Sequence, residues 1–206
     1  MIQIDKSFNI GTINEKQIFQ GLNLTINDGD FLTVIGGNGA GKSTMLNLIA
    51  GVHKADGGRI ILDGEDLTYK NETQRARYIG RVFQDPMMGT APTMMIEENL
   101  AMAYRRTKRR TLAWGISQKE RELYRDSLSQ LGLGLEDRMK TKVGLLSGGQ
   151  RQAVTLLMAT LQKPKLLLLD EHTAALDPAT SAKVLQLSDQ IIRDHQLTAL
   201  MVTHNM

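Results

Sequence analysis

A chain of 206 residues with 41% apolar and 23% charged side chains has ordinary globular composition, which excludes disordered, collagen-like and low-complexity classes and fits one sizeable core. It has no cysteine, so a disulfide framework, a cysteine-based zinc site and thiol catalysis are excluded, and any metal must be held by oxygen or imidazole. Net charge is +3, with basic residues spread out except for YRRTKRR at Tyr104 to Arg110, a type of run that meets nucleic acid or phospholipid in some proteins and is a solvated face in most. No aromatic residues alternate with these arginines as a stacking platform requires, so nucleic acid is not the expected partner. The start MIQIDKSF lacks the basic and apolar regions of a signal peptide, and no run approaches the ~18 apolar residues of a membrane span, so a soluble cytoplasmic chain is expected.

Along the chain, Ile2 to Phe8, Gln17 to Leu24 and later Arg59 to Leu62 read as short strands separated by turn signals such as Asn27-Asp28-Gly29 and Asp63-Gly64. They predict an antiparallel side sheet. Phe31 to Ile35 is apolar, rich in β-branched residues and bounded by glycines, and reads as a buried strand. Lys42 to Ala50 reads as a helix with apolar positions at 45, 46, 48 and 49 and a stop at Gly51. From about Pro86 to Leu161 helical signals take over. Ser117-Gln-Lys-Glu120 is a capping box opening a helix with Leu123, Tyr124, Leu128 and Leu131 on one face, closed by Gly132. Ser147 is an N-cap before a helix whose stripe is Val154, Leu157, Met158 and Leu161.

Lys165 to Leu169 then reads as an apolar strand ending in Asp170 and Glu171. Asp177-Pro178 opens a helix aligned on Val184, Leu187 and Ile191, and Thr198 to Thr203 forms a strand ending at His204. Strand and helix alternate, so a parallel sheet is favoured. The expected organisation is one unit, with residues 1–85 and 162–206 forming an α/β core plus the side sheet and residues 86–161 inserted as a helical lobe. An α/β core usually continues past a strand such as 198–203, so a longer chain is expected.

The stretch GGNGAGKS at residues 36–43 fits the template G-x-x-x-x-G-K-[ST] at every fixed position, and it lies between a predicted strand and a predicted helix as a phosphate loop requires. Gly36, Gly37, Gly39 and Gly41, with Asn38 and Ala40 between them, allow successive N–H groups to point at phosphate oxygens. Lys42 places its cation on the β and γ phosphates, Ser43 offers a hydroxyl to Mg²⁺, and the helix running on through Thr44 turns its positive end to the anion. Asp170 and Glu171 end a buried strand at the sheet edge where ligands bind; one acid suits Mg²⁺ and the other the attacking water, with Asp170 assigned to metal and Glu171 to water. Two acids that merely end a strand have the same sequence. His204 also ends a strand and can donate to a γ-phosphate, although a lone histidine is usually structural. Gln84, in VFQDP, reaches metal or water, or is an ordinary loop residue. Ser147, Gly148, Gly149 and Gln150 form a second helix start suited to anions, with a plain capped helix as the alternative.

Taken together, GGNGAGKST, Gln84, LSGGQ at 146–150, LLLLDE at 166–171, AALD at 174–177 and His204 resemble the nucleotide-binding subunit of ATP-binding cassette (ABC) transporters over nearly the whole chain. The resemblance implies a RecA-like P-loop NTPase core of α/β class, an antiparallel β subdomain and an inserted helical subdomain, with ATP and Mg²⁺ bound and ATP hydrolysed. It implies a head-to-tail dimer in which Ser147 and Gly149 reach the γ-phosphate held by a second copy, Gln84 links the site to the membrane partner and Asp177 crosses the interface. It also implies that His204 holds the γ-phosphate, and it places Phe8 near the aromatic that stacks on adenine. The expected partners are integral membrane permease subunits and an extracytoplasmic solute-binding protein, with the chain peripheral on the inner face of the membrane. Lys142-Val-Gly-Leu145 differs from the acidic stretch of exporter cassettes, and the arm from Tyr104 to Ile116 resembles cassettes for amino-acid-like solutes; both favour a bacterial importer. A soluble ABC ATPase acting on nucleic acid or the ribosome is the competing expectation.

Overall fold

The computed structural model describes residues 1–106 and 115–204. The chain begins with β1 (Ile2–Phe8) and β2 (Lys16–Leu22), an antiparallel pair, and continues through β3 (Phe31–Ile35) and α1 (Lys42–Ala50). Three short strands follow, β4 (Gly57–Arg59), β5 (Ile61–Leu62) and β6 (Glu65–Asp66), then α2 (Glu72–Arg75) and β7 (Ile79–Val82). All described elements between residues 86 and 161 are helical: α3 (Ile96–Tyr104), α4 (Gln118–Ser129), a 3-10 turn at Val143–Leu145 and α5 (Gly148–Thr160). The chain closes with β8 (Leu166–Asp170), α6 (Pro178–Asp194) and β9 (Ala199–Thr203).

The strands form a parallel sheet of order β3-β9-β8-β7, an antiparallel sheet of order β2-β1-β4 and the hairpin β5-β6. β8 lies inside the parallel sheet and is apolar on both faces because both are covered. Leu167 and Leu169 join a core shared with α3, α4 and α5, whereas Leu166 and Leu168 join one shared with α1 and the side sheet. The helix start and stop signals are obeyed closely. α1 carries buried Met45, Leu46, Leu48 and Ile49 and ends at Gly51 with φ 85, a left-handed cap that glycine adopts without steric cost. Ser117 and Glu120 form both halves of the capping box.

Several expectations are corrected. The stretch Arg59 to Leu62 is not one strand: residues up to Arg59 pair with β1, the N–H of Ile60 turns to the Thr68 hydroxyl, and Ile61–Leu62 pairs with β6. Phe31 to Ile35 is an edge strand, with Phe31 45% and Ile35 48% exposed, because burial of a strand depends on its neighbours in the sheet and not on its own composition. Leu123 points outward, 38% exposed, while Tyr124, Leu128 and Leu131 are buried as expected. α5 is buried on more than one face, including Gln152, Thr155 and Leu156 beyond the expected stripe. β7 and α2 had no sequence expectation.

Of the run Tyr104 to Arg110, and of the arm extending to Ile116, residues 107–114 lie outside the described residues. Arg105 is engaged within the chain. Its guanidinium donates to both carboxylate oxygens of Glu120 at 2.8–3.1 Å and holds that carboxyl down to about 2, assisted by hydrogen bonds from Ser117.

Two buried polar groups tie the core together. Arg75, 2% exposed, donates from Nη1 to the carbonyls of Leu48 (2.7 Å) and Ile49 (2.9 Å), from Nε to Lys70 O (2.8 Å) and from Nη2 to Thr68 O (3.1 Å). It therefore caps the carboxyl end of α1, where a cation is favoured by the helix dipole. His172, 2% exposed, follows β8; its Nε2 lies 2.9 Å from Ser188 Oγ on α6. The Ser188 hydroxyl proton goes to Val184 O at 2.8 Å, so the imidazole donates from Nε2.

Burial pushes the His172 imidazole down to about 4. As pH falls through the ordinary histidine value the unfolded chain takes up a proton that the folded chain refuses until about pH 4. Stability is therefore fully present at pH 7 and falls by up to about 3 kcal/mol across this window. Urea unfolding at pH 7 and pH 4.5 measures the loss. His172→Gln, which keeps a donor for Ser188, should remove this part of the slope; an unchanged slope would assign the acid sensitivity to other groups.

Candidate nucleotide site

The carboxyl ends of β3, β8 and β9 converge, and their register sets the site. Ile35 pairs with Thr203 and Asp170 with Val202, so Gly36, His204 and Glu171 emerge side by side. The glycine loop then enters α1 through Gly39 and Gly41, with φ 79 and 90. A Cβ on Gly41 would stand 2.8 Å from Ile18 Cγ2 and 3.1 Å from Phe19 Cζ, so its glycine is required both by backbone angle and by the packing of β2.

Lys42 is 7% exposed and curls over its own loop, donating to Gly36 O at 2.6 Å and Gly37 O at 3.0 Å. Its Nζ also lies 3.1 Å from His204 Nδ1, and His204 Nε2 lies 2.5 Å from Glu171 Oε1. An ammonium only donates, so His204 accepts on Nδ1 and carries its proton on Nε2 toward the carboxylate. In that tautomer the 3.2 Å approach of Nδ1 to Gly36 O is not a hydrogen bond. Lys42, His204 and Glu171 thus form one connected row across the sheet edge.

Glu171 itself has φ 44, left-handed for a non-glycine residue. Two backbone bonds hold it there: its N–H donates to Val202 O (3.0 Å) and its carbonyl accepts from Ala174 N (2.9 Å). A conformation costing about 1 kcal/mol or more is fixed at the residue with the expected chemistry, the pattern of strain at functional positions.

Asp170 faces the other way along the strand. Its Oδ2 accepts from Arg81 Nη2 at 3.0 Å, and it borders a cavity of about 600 Å³ with Gln84 and Asn47. Asn47 is four residues beyond Ser43 on α1, hence on the same helical face. A hydroxyl, a carboxamide and a carboxylate are hard oxygen donors and suit Mg²⁺. Among the described residues no group of three or more His, Cys, Asp and Glu is placed to hold a metal ion by itself, which fits an ion shared with phosphate and water. The role of Arg81 was not legible in the sequence, since 89 residues separate it from Asp170.

Phe8 stands opposite Lys16 in the β1–β2 ladder, and Lys16 Nζ lies 3.9 Å from the position of a Cβ on Gly39. Its ring makes an edge contact with His53 at 5.3 Å. Phe8 is near the loop, and the Lys6 ammonium also lies over its ring, 5.3 Å from the centroid.

The signature turn lies elsewhere. Ser147 caps α5 by accepting from Gln150 N (3.3 Å), and Gln150 Oε1 accepts from Ser147 N (3.2 Å). Ser147, Gly149 and Gln150 border a second cavity of about 590 Å³ with Thr180 and Lys183 of α6. Neither Lys42 nor Glu171 lines it. Asp177, the N-cap of α6, accepts from Thr180 N at 3.0 Å; the Thr180 hydroxyl and this N–H hold its carboxyl below the usual range.

Gly149 has a steric role of its own. A Cβ there would meet Thr180 Cγ2 at 2.1 Å, so α5 and α6 touch at their first turns. Gly149→Ala should cost about 1–3 kcal/mol through overpacking, partly offset by its helix propensity. Thr180→Ser deletes the obstructing methyl. A double-mutant cycle by thermal unfolding should show rescue, and additive losses would refute the contact.

A family model described as ABC transporter matches residues 19–174. The chain belongs to this family. It is 45% identical over 209 residues to a tyrosine transport ATP-binding protein of Clostridioides difficile, with 100% of this chain and 83% of that protein covered. It is 38% identical over 189 residues to the methionine import ATP-binding protein MetN of Rhizobium johnstonii, covering 90% of this chain but 49% of the relative. Among solved structures, the dimeric post-hydrolysis state of the ATP-binding cassette MJ0796 bound to ADP and Pi superposes with TM-score 0.82 at 28% identity, covering 99% of this chain and 87% of that one. This ABC protein therefore has the RecA-like P-loop fold and is the ATP-binding, ATP-hydrolysing subunit type of a membrane transporter. Among the described residues no helix is long and apolar enough to cross a membrane.

Proposed function

We propose that this ABC ATPase drives import of an amino-acid-like solute, working as a head-to-tail pair of identical chains beneath separate permease subunits on the inner face of the membrane. An extracytoplasmic solute-binding protein supplies the solute. The observation that carries this reading is the separation of the motifs within one chain. The row Lys42-His204-Glu171 lies at one place, the turn Ser147 to Gln150 borders a cavity that none of those three residues lines, and a second copy joins the two across one nucleotide. The tyrosine and methionine relatives support an amino-acid-like solute.

In this reading the backbone N–H groups from Gly37 through Asn38, Gly39, Ala40 and Gly41 to Thr44 receive the phosphates of ATP. Lys42 exchanges the carbonyls of Gly36 and Gly37 for β and γ oxygens. Phe8 stacks on adenine. His204 turns its Nε2–H from Glu171 to a γ oxygen, which frees the Glu171 carboxylate to orient a water and take its proton as the water oxygen bonds to γ-phosphorus. The bond to the β-γ bridging oxygen breaks, and ADP and phosphate are released. Ser43, Gln84 and Asp170 would hold Mg²⁺, which when bound neutralises charge on the β and γ phosphates. Ser147 and Gly149, with Gly148 and Gln150, close on the γ-phosphate of the partner copy, and Asp177 lies at that interface.

Purification of the tagged protein from detergent-solubilised membranes, followed by mass spectrometry, tests the proposal. An integral membrane permease should accompany it. Recovery with ribosomes or nucleic acid alone would replace this reading with the soluble one.

A further inference from the structure

Arg81 lies on β7, the edge of the parallel sheet, paired with Leu168 of β8. Residues 168 and 170 share a face, so the guanidinium runs two residues along the neighbouring strand and reaches Asp170. The pair is largely removed from solvent, with side-chain exposures of 12% and 14%. The Arg81 guanidinium also stacks over Phe83 at 4.6 Å, which fixes its plane. Its Nε is buried and has no hydrogen-bond partner among the described residues, so the Asp170 carboxylate is the group that anchors the guanidinium.

We infer that Arg81 is the resident counter-ion of Asp170, a positioning residue that holds the carboxylate ready and weakens divalent-cation binding there. The inference rests on the assignment of Asp170 to the metal. The ion pair uses Oδ2, leaving Oδ1 outside it, and it turns the carboxylate toward the cavity shared with Gln84 and Asn47. A divalent ion arriving at Asp170 meets a fixed positive charge a few ångströms away in a largely buried place, where such repulsion is screened less than at an exposed surface. The consequence is selectivity for the complete substrate. A metal carried by the phosphates of a nucleotide brings enough negative charge to share Asp170 with Arg81, whereas a bare ion does not.

The test is Mn²⁺ binding to the full chain, followed by the paramagnetic resonance of free Mn²⁺, with and without ADP. Arg81→Gln keeps an amide donor for Asp170 but removes the charge. It should bind Mn²⁺ about fivefold or more tightly with ADP, and acquire measurable Mn²⁺ binding without nucleotide. Arg81→Lys, which keeps the charge but not the plane stacked on Phe83, should not gain the tighter Mn²⁺ binding of the neutral variant with ADP and should show none without nucleotide. Circular dichroism and thermal unfolding establish that each variant is folded. If Arg81→Gln does not fold, Arg81→Met takes its place with the same expectation. Failure of both neutral variants to fold, while Arg81→Lys folds and binds as the wild type, would overturn the inference in favour of a purely structural ion pair. Unchanged or weaker Mn²⁺ binding in a folded neutral variant would overturn it as well. Asp170→Asn separates the two layers. If it retains wild-type Mn²⁺ affinity with ADP, the assignment of the metal to Asp170 is wrong; if it loses Mn²⁺ while Arg81→Gln gains nothing, only the role of Arg81 falls.

Discussion

Glu171→Gln should bind ATP as tightly as the unchanged protein and hydrolyse it at least about a hundredfold more slowly. The amide has the shape of the carboxylate, and its oxygen can still accept the proton of His204 Nε2, so the 2.5 Å contact and the left-handed backbone at 171 have no reason to change. What disappears is the ability to take a proton from the attacking water. ATP then persists between two copies, and a long-lived dimer should appear by light scattering on adding ATP. Single-turnover hydrolysis separates this outcome from slow product release. Near-normal turnover would remove Glu171 from the reaction and leave its pairing with His204 as a structural tie.

The largest loss of stability is expected from Arg75→Ala. Four carbonyls, those of Leu48, Ile49, Thr68 and Lys70, accept from this one buried guanidinium. Truncation removes the side-chain cap from the last turn of α1, where Leu48 O keeps only the Gly51 N–H at 3.3 Å, and leaves the other acceptors of this buried guanidinium without it. The desolvation of the guanidinium, which holds its pKa below the ordinary arginine value, opposes the gain from these bonds. The net cost is about 3 kcal/mol, or a fall of roughly 10 °C in Tm for a chain of this size. Arg75→Lys should recover only part of it, because a single ammonium cannot address four carbonyls spread around a planar fork. A loss below about 1 kcal/mol in thermal unfolding would mean that water enters and replaces the guanidinium.

What could be read in advance follows the range of the interaction. α1 was legible to the residue, because its periodicity from Lys42 to Ala50 and its stop at Gly51 lie within adjoining positions. The boundaries of β8 and β9, and the start of α6, were legible within a residue or two for the same reason. β7 was not, since Ile79–Val82 places a glycine and an arginine inside four residues and has the pattern of neither a strand nor a helix. The exposure of β3 depends on which strand flanks it, and that is a property of topology. Within the site, the residue types at 36–43, 170–171 and 204 announced phosphate chemistry locally. The links that make them one assembly, Lys42 to His204 and Arg81 to Asp170, join residues 162 and 89 positions apart and have no local trace. Gly149 was singled out for what approaches from outside; its nearest constraint is Thr180 from within.

That contact has a mechanical consequence. Where Gly149 meets Thr180 there is no compressible side chain between the first turns of α5 and α6. Six residues upstream of the α6 cap stands Glu171, and the next residue, His172, is pinned to Ser188 farther down the same helix. α6 is thus held at two places, at Thr180 against the signature turn and at Ser188 against His172. A displacement at the signature turn is therefore expected to reach the segment beside the strained carboxylate through α6, with no charged group in between.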